Sequence, residues 1–162
     1  MRKSYNIFDS IRKGDLSSVR KYVETGEITI KKKNGVNMLM EAIASKQDII
    51  AMNLLESEID INAQDKAGFS ALHYCVWEKN IAIARLLLQK GANVNIIDEY
   101  GNNPFWYSLT LYRSILDLDL VKLLINYGAD IHHKNNHNLS PLDFVKQIND
   151  DNVNKIVLPD SL

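Results

Sequence analysis

The residues with the most chemical capacity in this chain are four histidines and a single cysteine. His132, His133 and His137 form the densest group of potential metal ligands, and on one helix face His133 and His137 would stand a turn apart. The run falls instead in a connection between helical segments, and no cysteine accompanies it. Solvent-exposed turn residues are expected there, and no metal is assigned. His73 and Cys75 could suggest a thiol with its base. On a helix, residues two apart point about 200° from one another, so the pair cannot meet. Structural roles are expected for both. No phosphate-cradling glycine loop, paired-carboxylate signature or nucleophile elbow occurs. The expectation is a protein with no catalytic residue, no cofactor and no small-molecule substrate.

Composition narrows the remaining classes. In 162 residues, 46% are hydrophobic and 24% charged, the balance of a globular protein with a real core. The formal net charge is −1, which gives no overall electrostatic case for nucleic acid or an anionic membrane. Lys31-Lys32-Lys33 is the one dense basic run and reads as a solvated turn. No stretch approaches the twenty or so apolar residues of a membrane span. Asp9, Arg12, Lys13 and Asp15 interrupt any signal-peptide core behind the basic start Met1-Arg2-Lys3. A lone cysteine suits a reducing compartment, so a cytoplasmic location is expected.

Internal repetition organises the chain. Gly35, Gly68 and Gly101 are separated by two steps of 33 residues, and each opens a similar string: Gly35-Val36-Asn37-Met38-Leu39-Met40, Gly68-Phe69-Ser70-Ala71-Leu72-His73, and Gly101-Asn102-Asn103-Pro104-Phe105-Trp106. Asn138-Leu139-Ser140-Pro141-Leu142-Asp143 is a fourth, with Asn in the glycine slot. The glycines suit turns needing φ > 0, and Asn is the best substitute. Ser70, Asn103 and Ser140 are expected to cap helices, with Pro104 and Pro141 in the first turn. Gly26, Gly91 and Gly128 read as stops after second helices; Glu58 stands where such a glycine is missing, so a strained or altered turn is expected. Leu72, Cys75 and Val76 form one apolar stripe and Ile83, Leu86 and Leu87 another, at helical spacing. Short helices cannot bury such stripes alone, so neighbouring units must stack.

The period and these strings resemble the ankyrin family, whose signature Thr-Pro-Leu-His is nearly matched by Ser70-Ala71-Leu72-His73. The resemblance implies an all-α ankyrin-repeat solenoid of about five helix–turn–helix units with short β-turn fingers. One domain, 1–162, is expected, with units near 4–33, 34–63, 64–96, 97–133 and 134–158, the last degenerate. The first unit would be a cap, and Leu142–Ile148 and Asp150–Leu158 would supply the last two helices before Pro159. The step from Gly91 to Gly128 is 37 residues, so the fourth unit carries four extra residues within Leu109–Asp117, read either as a functional loop or as an added helical turn.

The same resemblance implies binding of another protein on a concave face of fingers and first helices. Carried over residue by residue, the partner-binding positions are Val36, Glu41, Phe69, Tyr74, Trp77, Glu78, Glu99, Tyr100, Asn102, Tyr107 and Leu111, with Lys66 at a finger. Phe69, Tyr74, Trp77, Tyr100 and Tyr107 put large rings where polar residues would serve folding as well. Trp106, in the signature histidine slot, is expected between repeats. Glu41, Asp65, Glu78, Asp98 and Glu99 would make the strip mildly negative and suit a basic partner. Asp98–Trp106, the long fourth unit and Asn138–Asp143 resemble the short ankyrin proteins that bacteria encode beside secreted toxins. That resemblance implies an immunity protein blocking a cognate toxin domain. The alternatives are a host-directed effector or a scaffold or regulatory subunit.

Overall fold

A computed structural model describes residues 6–115 and 118–158. Its helices follow in pairs: α1 (Ile7–Arg12) and α2 (Leu16–Glu24), α3 (Met38–Ala44) and α4 (Asp48–Leu55), α5 (Ala71–Trp77) and α6 (Ile81–Gln89), α7 (Pro104–Ile115) and α8 (Asp119–Asn126), α9 (Pro141–Ile148) and α10 (Asp151–Val157). First helices stack in the order α1, α3, α5, α7, α9, and second helices in the order α2, α4, α6, α8, α10. The architecture is an all-α repeat solenoid. Helices of six to twelve residues are marginal in isolation. What holds them is one continuous apolar layer, from Ile7 and Ile11 through Leu39, Leu72, Leu87, Phe105 and Leu124 to Val153. Leu72, Cys75, Val76, Ile83 and Leu87 are buried as their spacing predicts; Leu86 is half-buried on the outer side. No described helix is long and apolar enough to cross a membrane.

Each first helix starts from a cap that its sequence supplies. Asn37 accepts from the Met40 N–H at 2.9 Å, Asn103 from the Trp106 N–H at 3.0 Å, and Ser140 from the Asp143 N–H at 3.1 Å. Before them lie the fingers, closed by bridges between Lys31 and Asn37 and between Gln64 and Ser70. Adjacent fingers are tied by one backbone bond each: Lys66 N–H to Asn34 C=O, Glu99 N–H to Ala67 C=O, and Asn136 N–H to Tyr100 C=O, all 2.9 Å. That closeness explains Gly68. Its φ is +83°, and a Cβ there would lie 2.7 Å from Asp98 Cα in the next finger. Asn138 takes the equivalent turn at φ 60°.

Two irregularities are resolved by packing. After α4 the missing glycine leaves an altered turn, without strain. The helix stops at Leu55, residues 56–58 keep negative φ, and Ser57 donates to the Leu54 carbonyl from both N–H (3.1 Å) and Oγ (2.6 Å). In the fourth unit the extra residues lengthen α7 to 12 residues against seven in α5. The added turn buries Tyr112, whose hydroxyl bonds to Asp150. Asp150 also caps α10, accepting from the N–H groups of Asn152 and Val153. Lengthening α7 therefore holds the last helix. Leu116 and Asp117 of the expected insertion, the basic start Met1–Lys3 and Pro159 lie outside the described residues.

Candidate protein-binding face

The side of the fingers and first helices, expected to be concave, is built from a side-chain pair nine residues apart, repeated from unit to unit. In the third unit the Tyr74 hydroxyl donates to Asp65 at 2.9 Å; in the fourth the Tyr107 hydroxyl donates to Asp98. The other carboxylate oxygen of each Asp organises its own finger. Asp65 accepts from the N–H groups of Ala67 and Phe69, and Asp98 from those of Tyr100 and Asn102, all at 2.9 Å. Burial and the neighbouring carboxylate push both phenols above their ordinary range, so each stays a proton donor. In the second unit the same two slots hold Lys32 and Glu41, bonded at 2.5 Å. In the fifth they hold Asn135 and Phe144, and Asn135 reaches back to the Asn102 side chain at 2.8 Å.

Above these pairs the rings interlock. Phe69 lies edge-to-face with Trp77 at 4.3 Å between centroids, with His73 at 5.6 Å and with Tyr107 at 6.1 Å. Trp77 also meets Tyr74 at 5.5 Å and Tyr107 at 5.6 Å. Offset and edge contacts of this kind are the favoured aromatic geometry. Five side chains from two units thus make one rigid patch. Trp77 is its most open member at 36% exposure, while Phe69, Tyr74 and Tyr107 are half-buried. Tyr100, 50% exposed at the next finger, stands beside it in sequence but outside these ring contacts.

Not every expected position projects to solvent. Val36 is buried against Met40, Ala63 and Tyr74. Glu41 is 6% exposed and is held by Arg12 at 2.8 Å as well as by Lys32. Asn102 is buried in the hydrogen bonds that join fingers. Leu111 is half-buried on the added turn of α7, and Glu99 is exposed. Glu78 is half-buried, 3.5 Å from Lys46. Of the five acids expected to make the strip negative, Glu41 and Glu78 are paired with cations, Asp65 (half-buried) and Asp98 (buried) accept hydrogen bonds from Tyr74, Tyr107 and backbone N–H groups, and Glu99 is exposed with no ion pair among the described residues.

The other chemically suggestive residues have structural surroundings. His73 is fully buried. Its Nδ1 accepts from the Ser70 N–H at 3.1 Å, which leaves Nε2–H to face the Asn102 carbonyl of the next unit at 3.3 Å. Burial pushes its pKa down to about 4. Cys75 is buried on the opposite side, and burial pushes its thiol up, away from the reactive thiolate. His132 and His137 are exposed and His133 half-buried; the backbone N–H groups of His132 and His133 are anchored on Asp130. Trp106 packs on Phe144 of the next unit, ring centres 5.4 Å apart.

A second apolar patch, absent from the sequence reading, lies on the convex side. Ile49 (65% exposed) and Met52 (41%) rise from α4 beside Leu86, lining a shallow groove of about 360 Å³ with Arg20 and Lys90 at its rim. One period later, the same slots hold Ala82 and Arg85. A signal for this patch was available: α4 is apolar on nearly every face.

Comparison with known proteins agrees with this architecture. A family profile for ankyrin repeats in three copies matches residues 7–98, and a single-repeat ankyrin profile matches residues 100–136. Among similar proteins are an ankyrin repeat protein of Acanthamoeba polyphaga mimivirus, 36% identical over 103 residues (62% of this chain, 13% of that protein). Others are an ankyrin repeat protein of Rickettsia felis, 38% identical over 85 residues (49% and 37%), and one of variola virus, 31% over 132 residues (65% and 23%). The chain spans well under half the length of each. Repeat spacing, stacked helix pairs and profile matches over more than half of the sequence agree: the chain belongs to the ankyrin-repeat family.

Proposed function

We propose that this chain is a protein-binding module that engages its partner through the concave aromatic patch of Phe69, Trp77 and Tyr107, extended by Tyr100 and Glu99. The observation that carries this reading is the interlocked ring cluster, with Trp77 still 36% exposed at its centre. Rings locked by their neighbours lose little freedom on binding and offer a large apolar area, the usual makings of an interface hot spot. Enzymatic activity forms no part of the proposal, since buried His73 and Cys75 reach no shared cleft. The relatives' names speak of ankyrin repeats and of no toxin. An immunity-type role accordingly rests on the sequence strings in the fourth and fifth units alone, and the conclusion drawn is the broader one. A host-directed effector or a scaffold would use the same face.

Trp77→Ala is expected to weaken partner binding by about 2 kcal/mol or more. Because the ring also packs on Phe69, some loss of folding stability accompanies it. Affinity capture from the source cell, run with the parent, Trp77→Ala and the convex-face variant Ile49→Asp, tests the reading. Partner loss with Ile49→Asp and retention with Trp77→Ala would move the interface to the convex groove.

A further inference from the structure

Glu41 and Glu78 are balanced by ion pairs, while Asp65 and Asp98, hydrogen-bonded to neutral donors, keep their charge beneath the surface, so the charges a ligand meets first are those of the exposed side chains. The finger tips carry Lys33 and Lys66, and Lys31 stands at the bridge that closes the finger before α3; all three are exposed and without an ion pair among the described residues. Lys13 and Lys79, just beyond the ends of α1 and α5, are exposed too, but exposed Asp15 and Asp48 stand at that same end and balance them, so the excess lies at the fingers. Against the finger lysines stands Glu99, the acid of the row that faces solvent. Lys46 and Glu78 offset one another at 3.5 Å. Successive finger tips read Lys33, Lys66, Glu99 and Asn136, so the positive charge lies on the N-terminal side of the ring cluster. A chain with net charge −1 thus presents exposed lysines beside the ring cluster.

We propose that the partner engages this face through an acidic segment carrying an apolar or aromatic anchor, the anchor seated on Trp77 and Phe69 and its carboxylates running along Lys66 and Lys33. The proposal rests on the concave binding reading above and adds the partner's chemistry to it. Two features favour an acidic polypeptide. The cations lie on one side of a ring patch that is itself apolar, which asks for a ligand with a distinct anchor and a distinct charged run. The rings also meet edge-to-face at 4.3–6.1 Å, a clustered patch suited to one apolar anchor rather than a row of separate platforms for successive nucleobases. Exposed lysines contribute chiefly by steering and by excluding wrong partners, so the interaction should weaken with salt.

The test is selection of the intact protein against a displayed library of random twelve-residue peptides, followed by titration of enriched sequences as labelled synthetic peptides. Enriched peptides should carry net negative charge around a Trp, Phe, Leu or Met. Their affinity should fall at least tenfold from 0.05 to 0.3 M NaCl, and at least tenfold in Lys33→Glu/Lys66→Glu, whose thermal melt should match the parent. Trp77→Ala should weaken the same peptides. Failure to enrich acidic sequences, or indifference to Lys33→Glu/Lys66→Glu, overturns the proposal. If Trp77→Ala still abolishes binding in that case, the concave reading survives and only the charge assignment falls. If peptides bind but ignore both Trp77→Ala and the lysine pair, both readings fall. Tighter binding of an oligothymidine 20-mer than of the best acidic peptide would assign the lysines to nucleic acid and overturn it as well.

Discussion

Individual positions show how much the next unit dictates. Gly68 and Gly91 share a positive φ, +83° and +86°, but only Gly68 faces another finger, whereas a Cβ on Gly91 meets nothing within 4 Å. Gly91→Ala should cost about 1 kcal/mol, the backbone term alone. Gly68→Ala must also push back the Asp98 backbone and should cost at least twice as much; equal denaturant midpoints would refute the close approach. His73 gives a pH signature. Its folded pKa is about 4 and its unfolded value about 6.5, so between those limits the unfolded chain binds a proton that the native site refuses. Stability should therefore fall as pH drops from 6.5 to 4, by about 3 kcal/mol, and this loss should level off below 4. His73→Asn should flatten that window in urea titrations. The site was legible to the same degree as such slots. Tyr74 and Tyr107, one period apart, do share a position, and their rings do cluster. Glu41 occupies the matching slot in the second unit yet turns inward, because its partners Arg12 and Lys32 come from elsewhere in the chain, 29 and nine residues away. Face assignment by period alone cannot see a partner 29 residues distant. The nine-residue pairs 32–41, 65–74 and 98–107 were the signal that could have exposed it.

At the level of elements, the sequence marked helix starts better than helix ends. Starts depend on one local side chain, as Asn37, Asn103 and Ser140 show, and a cap is readable from residue type. Ends depend on what packs beyond them. Four extra residues in the fourth unit were compatible with a loop or with an added turn, and the choice is made by Tyr112, which closes over the last helix pair and bonds to Asp150. Tyr112→Phe retains the buried ring and removes the bond to the α10 cap. Amide exchange in α10 (Asp151–Val157) should speed severalfold, with α3–α6 unchanged. Unaltered exchange in α10 would return the added turn to the status of a candidate binding element. The convex patch escaped the sequence reading for a related reason. Ile49 and Met52 are indistinguishable from core residues until the stacking of α2, α4 and α6 determines which face of α4 is left outside.

Across the whole molecule, contacts run from each unit to its neighbours, so stability is a sum of local terms and interfaces. The position of a lesion should then decide how far its damage spreads. Leu87 is fully buried in α6, which packs against α4 on one side and α8 on the other. Leu87→Ala removes shared core from two interfaces and should cost about 2–5 kcal/mol. Val153 is equally buried but sits in α10, at the end of the second-helix row, against α8 and α9. Val153→Ala, at about 1–3 kcal/mol, loosens one terminal interface. Hydrogen exchange read helix by helix separates the cases. Leu87→Ala should accelerate exchange on both sides of α6, from α3 through α8, because uncoupling the middle leaves two short stacks with little core each. Val153→Ala should accelerate exchange in α9 and α10 while α3–α6 keep the parent's protection. The ring cluster spans α5 and α7, so partner affinity should survive Val153→Ala and suffer in Leu87→Ala. Uniform acceleration from Val153→Ala would mean the five pairs unfold as one unit, and the nearest-neighbour account of this solenoid would fail.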